Sequence, residues 1–92
     1  MVAMERARDP LLTFPCRFPI KVMGPAAEGF DARVVAIVRR YVPPLGEGAV
    51  SQRLSRGGRY VAVTVTVEAE SREQLDSIYR ALTADERVLM AL

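Results

Sequence analysis

Residues 56–68 read RGGRYVAVTVTVE, and the fold follows from this stretch. From Tyr60 onward it alternates strictly, with Val61, Val63, Val65 and Val67 on one face and Tyr60, Ala62, Thr64 and Thr66 on the other. β-Branched side chains at a period of two describe a strand with one buried face. Gly57-Gly58 ahead of it offers the positive φ angles of a tight turn. The weaker alternation of Ala49 to Ser55 lies across that turn, so the two runs are expected to pair as an antiparallel hairpin.

Upstream, Phe18 to Met23 alternates as well, with Phe18, Ile20 and Val22 on one side and Pro19, Lys21 and Met23 on the other. Gly24-Pro25 ends that run, and Pro19 is tolerated only where its missing N–H falls outside the ladder. Phe30, Val34, Ile37, Val38 and Tyr41 then recur at helical spacing. The spacing predicts a helix that ends before Pro43-Pro44, with Arg39 and Arg40 in its last turn, where cations suit the dipole. Downstream, Ser71 and Gln74 have capping-box spacing, and Leu75, Ile78, Tyr79 and Leu82 form a second helical stripe. Arg87 to Leu92 alternates again and is read as a last strand that puts Leu89 and Ala91 opposite Val88, Met90 and Leu92.

The order is β-α-β-β-α-β. Right-handed crossovers place both helices on one face of a four-stranded antiparallel sheet, the ferredoxin-like α+β sandwich, with the Phe18 and Val61 strands central. Residues 1–8, MVAMERAR, carry no periodic pattern and are read as a flexible tail; residues 9–92 form a single domain. Asp9-Pro10 reads as a cap and first position of a short helical turn over Leu11 and Leu12.

Composition excludes more than it identifies. The chain of 92 residues holds 0 His and 1 Cys, Cys16, so a His/Cys metal site, a disulfide framework, a CxxC pair and a histidine base are absent from its chemistry. Lys21 is the single lysine among 13 basic residues, and the net charge of +2 is too small to force a nucleic-acid reading. No apolar run approaches the ~18 residues of a membrane span, so a cytoplasmic protein with a reduced thiol is expected and no membrane role.

The segments FPCRFPIKVMG (14–24), GGRYVAVTVTVEAES (57–71) and ERVLMAL (86–92) resemble the YbeD-like family of small bacterial proteins. The resemblance spans Leu11 to Leu92. It implies a ferredoxin-like fold similar to ACT-type regulatory domains and carries no established activity. After Gly24 the chain reads PAAEGF, a departure from the acidic-basic-Pro-Gly run of many ACT amino-acid binders.

The other chemistries of this fold find no support in these residues. An RNA-recognition module stacks bases on rings of its third strand, yet Gly58 and Val63 stand where rings belong and only Tyr60 remains. An acylphosphatase-like enzyme needs an Arg in the loop after the first strand and an Asn; residues 24–29 contain no Arg and the chain has no Asn. Glu68, Glu70, Glu73 and Asp76 sit at a strand end or in first helical turns, where carboxylates have a structural reason. No catalytic, cofactor-binding or metal-binding residue is therefore assigned, and no cofactor is expected. The expectation is a non-enzymatic regulatory or protein-interaction module for a protein or small-molecule effector. The alternative is an anion- or nucleic-acid-binding module using the basic hairpin Arg53, Arg56 and Arg59. Lys21, Gly24, Pro25, Arg53, Arg56, Arg59 and Tyr60 are the candidate ligand or interface residues. The sheet face away from the helices, with Lys21, Met23, Tyr60, Thr64, Thr66, Leu89 and Ala91, has no element left to cover it. Self-association as a homodimer, or docking of a partner, through that face or a sheet edge is expected.

Overall fold

The structure is a computed structural model that describes residues 12–92; the expected tail and the Asp9-Pro10 turn lie outside the described residues. Its elements are β1 (Cys16–Pro25), α1 (Phe30–Val38), β2 (Val50–Leu54), β3 (Tyr60–Ala69), α2 (Arg72–Thr83) and β4 (Met90–Ala91). They form one sheet in the order β2-β3-β1-β4, with every neighbouring pair antiparallel. The βαββαβ order and the central β1–β3 pair are those read from the alternation.

β1 and β3 pair along their whole lengths, from Cys16 opposite Ala69 to Pro25 opposite Tyr60. Their inward side chains, Phe18, Ile20, Val22, Val61, Val63, Val65 and Val67, are buried against Phe30, Val34, Ile37 and Val38 of α1 and Leu75, Ile78, Tyr79 and Leu82 of α2. Each such aliphatic or aromatic group removed from water contributes about 1.5–3 kcal/mol. Phe18 meets Tyr79 edge to face, with ring centroids 6.4 Å apart.

Backbone parity explains why β1 accepts a proline in the middle of the sheet. Lys21 exchanges both backbone hydrogen bonds with Leu92, so its N–H and C=O point away from β3. Pro19 has the same parity and lies beyond the two positions, Val22 and Met23, at which β4 pairs with β1. Its missing N–H falls outside the ladder.

Three local expectations are corrected. α1 closes at Val38, and Arg40 and Tyr41 donate to Ile37 and Val38 in tighter three-residue turns, so Arg39 and Arg40 lie beyond the last helical turn. Val42 precedes Pro43, a position at which the helical region is disfavoured, and it is buried in the core, whereas Tyr41, expected on the helical stripe, is 36% exposed. At α2, Ser71 Oγ accepts from the Gln74 N–H as a capping box requires, but the Gln74 side chain accepts from the Glu70 N–H one residue earlier.

The third correction concerns β4, which is two residues long and has the opposite facing to the one expected. Ala91 lies opposite Val22 and joins the core, whereas Met90 lies opposite Met23 on the open face and is 49% exposed. Both parity sets of Val88 to Leu92 are apolar, so alternation within that run carries no information about which one turns inward.

Candidate functional site

The open face is built of cross-strand rows. Lys21, Thr64 and Ser51 form one; Met90, Met23, Ala62 and Arg53 form the next; Pro25 and Tyr60 close the end beside the hairpin. Alternation places all of these side chains opposite the valine face, and both helices are on the other side. Two shallow grooves meet at Arg53 and Ala62: one of roughly 370 Å³ reaches Met23, Tyr60 and Arg56, the other of roughly 350 Å³ reaches Lys21, Ser51 and Thr64.

The hairpin holds its shape through Gly57 and Gly58, at φ +89° and +69°. Ser55 accepts twice, its carbonyl from the Gly58 N–H and its Oγ from the Tyr60 N–H. Arg56 and Arg59 are thereby presented on a short rigid loop, and Tyr60 is 45% exposed at its base. The Arg59 carbonyl accepts from the Ala26 N–H, which brings the loop after β1 against the hairpin.

The face carries positive charge that no described side chain neutralises through an ion pair. Arg17 and Glu68 approach each other at 3.8 Å at the far end of the sheet. No ion pair joins Lys21, Arg53, Arg56 or Arg59 to any described acidic residue. Ser51, Thr64 and Thr66 add hydroxyls, and Met23, Met90 and Tyr60 add apolar surface; the combination suits an anionic partner with an apolar component.

Of the candidate residues, Lys21, Arg53 and Tyr60 share this face, with Arg56 and Arg59 at its rim and Pro25 exposed beside Tyr60. Gly24 is buried on the opposite side. A Cβ there would overlap the Phe30 ring and lie 2.7 Å from the Arg87 carbonyl, so protein occupies the space next to this glycine. Ser51 and Met90 belong to the face and were not singled out from the sequence; the parity of Arg53 identifies Ser51, whereas nothing local identifies Met90. Leu89 is exposed, but it lies ahead of β4.

Away from the face, Arg33 Nε donates to Asp85 Oδ2 at 2.6 Å and the Arg87 N–H donates to Asp85 Oδ1 at 2.9 Å. The bond from the Arg87 N–H, reinforced by Arg33, holds the Asp85 carboxyl below its ordinary value of 3.8 against the opposing effect of burial. Among the described residues no group of three or more His, Cys, Asp or Glu is placed to hold a metal ion. No described helix is long and apolar enough to cross a membrane.

Comparison with known proteins places this architecture among small bacterial chains. The family described as "Protein of unknown function (DUF493)" matches residues 9–92. A UPF0250 protein of Chromobacterium violaceum is 46% identical over 89 residues, which cover 97% of this chain and 100% of that protein. A UPF0250 protein of Nitrosomonas europaea is 43% identical over 84 residues, 91% of this chain and 97% of its own length. The solution structure of protein HP0495 from H. pylori superposes with a TM-score of 0.70 at 13% identity, covering 96% of this chain and 92% of that one, a likeness of fold.

Proposed function

Since the chain belongs to the DUF493 family of small bacterial proteins, the UPF0250 proteins, for which no activity is established, we propose from its own surface that it is a non-enzymatic protein-interaction module that docks an acidic partner on the open face of its sheet. The observation that supports this reading is the row structure of that face. No described ion pair engages Lys21 or Arg53, and they stand among hydroxyls, the half-buried Met23 and the exposed Met90 on the face opposite the helices. A regulatory role of the kind played by ACT-type domains follows if the partner is an enzyme, and the free, half-buried Cys16 suits a reducing cytoplasm.

The alternative is anion or nucleic-acid binding through Arg53, Arg56 and Arg59, which the basic hairpin favours. A single ring at the base of that hairpin offers little for base stacking, so an acidic protein surface is preferred over RNA. The two readings separate experimentally. The wild-type chain and a Lys21→Glu/Arg53→Glu variant are used to capture partners from native lysate, and the captured protein is then titrated at rising ionic strength. The proposal expects saturable binding that weakens with salt and is lost in the double variant. Binding retained by the double variant overturns it, and salt-steep binding of random-sequence RNA that disappears in Arg56→Ala/Arg59→Ala transfers the function to the hairpin.

A further inference from the structure

The two edges of the sheet differ. β4 is two residues long, which blunts its edge, while β2 runs five residues, Val50 to Leu54, without a proline or a bulge, and every one of them is exposed. Backbone parity decides which groups this edge presents. Thr66 donates to the Ala49 carbonyl and Ser55 donates to the Tyr60 carbonyl, so residues of odd number along β2 spend their hydrogen bonds on β3. Val50, Gln52 and Leu54 therefore direct their N–H and C=O groups outward. Their side chains lie on the helix side of the sheet, opposite Val65, Val63 and Val61, yet neither helix extends over them: Val50 is 37% exposed and Leu54 62%.

We propose that this edge pairs with the β2 strand of a second copy of the chain, antiparallel about a two-fold axis through Gln52. The register is self-complementary. Gln52 faces Gln52 of the other copy, Val50 faces Leu54 on either side of the axis, and Ser51 faces Arg53. All three outward residues of each copy are then paired and exchange six backbone hydrogen bonds, and no like charges stand directly opposite each other. Moving the two-fold axis to Arg53 sets Arg53 against Arg53; moving it to Ser51 takes the partner of Leu54 beyond the strand. Either shift leaves fewer bonds. In the two-fold register, Val50 and Leu54 of both copies form an apolar strip in the gap between the two helix pairs. The product is an eight-stranded sheet with four helices on one face and a continuous open face on the other. A second copy is the occupant because this short edge matches its own reverse at every position, in hydrogen bonding, apolar pairing and charge. The assembly stands whether or not the open face binds an acidic partner.

Gln52 provides a clean test, because its N–H takes no part in the intrachain ladder. Gln52→Pro therefore removes an intermolecular donor while leaving β2 paired to β3. Sedimentation of the full chain is expected to show a monomer–dimer equilibrium with Kd between about 10 μM and 1 mM, and Gln52→Pro, with an unchanged circular dichroism spectrum, is expected to weaken it at least ~10-fold. Leu54→Lys gives a second reading should the proline variant fail to fold, and it too is expected to weaken association. The register is tested in a Cys16→Ser background: Gln52→Cys is expected to form an intermolecular disulfide on mild oxidation, since facing Cα atoms in such a pair lie ~5.5 Å apart, whereas Leu54→Cys, four residues off its own symmetry mate, is not. A chain that remains monomeric to about 1 mM, the weak end of specific association, overturns the proposal. So does a dimer that both variants leave intact, or equal cross-linking at Gln52→Cys and Leu54→Cys. Loss of the acidic partner with dimerisation preserved would instead count against the open face alone.

Discussion

A single missing methyl group at Gly24 fixes how the first crossover packs. The Phe30 ring at the start of α1 lies against the glycine Cα from one side and the Arg87 carbonyl from another. Gly24 belongs to β1 and has a backbone that other residues adopt, so its identity is a matter of space and not of φ. Adding a Cβ forces the ring, which is 1% exposed and enclosed by the core, or the backbone before β4 to move. Gly24→Ala is expected to destabilise the domain by about 1–3 kcal/mol, the usual cost of overpacking, read as a lower urea midpoint with an unchanged slope. A midpoint within error of wild type would show that the ring relocates freely. A glycine at a strand end beside a loop invites a ligand-approach reading from sequence, because the sequence does not disclose which ring arrives from residue 30.

Charge ties the two helices together at Asp85. Asp85, in the turn between α2 and β4, receives the Arg87 N–H and the Arg33 guanidinium of α1, which locks the end of one helix to the start of the other. Its folded-state pKa lies below the ordinary 3.8. The ionised carboxylate therefore adds stability that is complete above the unfolded value and disappears as pH falls through the folded one. Asp85→Asn is expected to lower the thermal midpoint at neutral pH by an amount corresponding to ~1 kcal/mol or less, because Arg33 is partly exposed. The difference from wild type should shrink as pH is lowered through 3.8 and beyond. A gap independent of pH would assign the effect to the geometry of the turn and not to its charge. This tie joins residues 52 positions apart and leaves no local pattern, whereas β1, β3 and both helices were legible because one apolar set recurs at one period. Between those cases stands β4, whose two parity sets are equally apolar; its existence could be read and its facing could not. The candidate face divides in the same way. Alternation suffices to put Lys21, Arg53 and Tyr60 together, but the absence of a helix over β2 is a matter of three-dimensional reach.

At the scale of the whole molecule, the sheet separates two tasks. The helix side holds the buried clusters of β1, β3, α1 and α2, and among the described residues no polar or charged residue is buried there. The opposite side holds exposed Lys21, Arg53, Tyr60 and Met90 with no described ion pair among them. The buried core and the proposed docking surface thus lie on different faces of the same strands, since successive side chains of a strand point to opposite sides. Substitutions should sort accordingly. Ile37→Asp places an unpaired carboxylate where the side chain is 4% exposed and is expected to abolish the cooperative unfolding transition. Lys21→Glu and Arg53→Glu remove no buried contact and are expected to shift stability by less than ~1 kcal/mol. Each also lowers a local excess of positive charge, so any small change should be in the stabilising direction at low salt and vanish at high salt. Urea denaturation of the three variants at two ionic strengths checks this. A loss of several kcal/mol from either charge reversal would mean that the open face helps to hold the fold together, and the division of labour between the two faces would not stand.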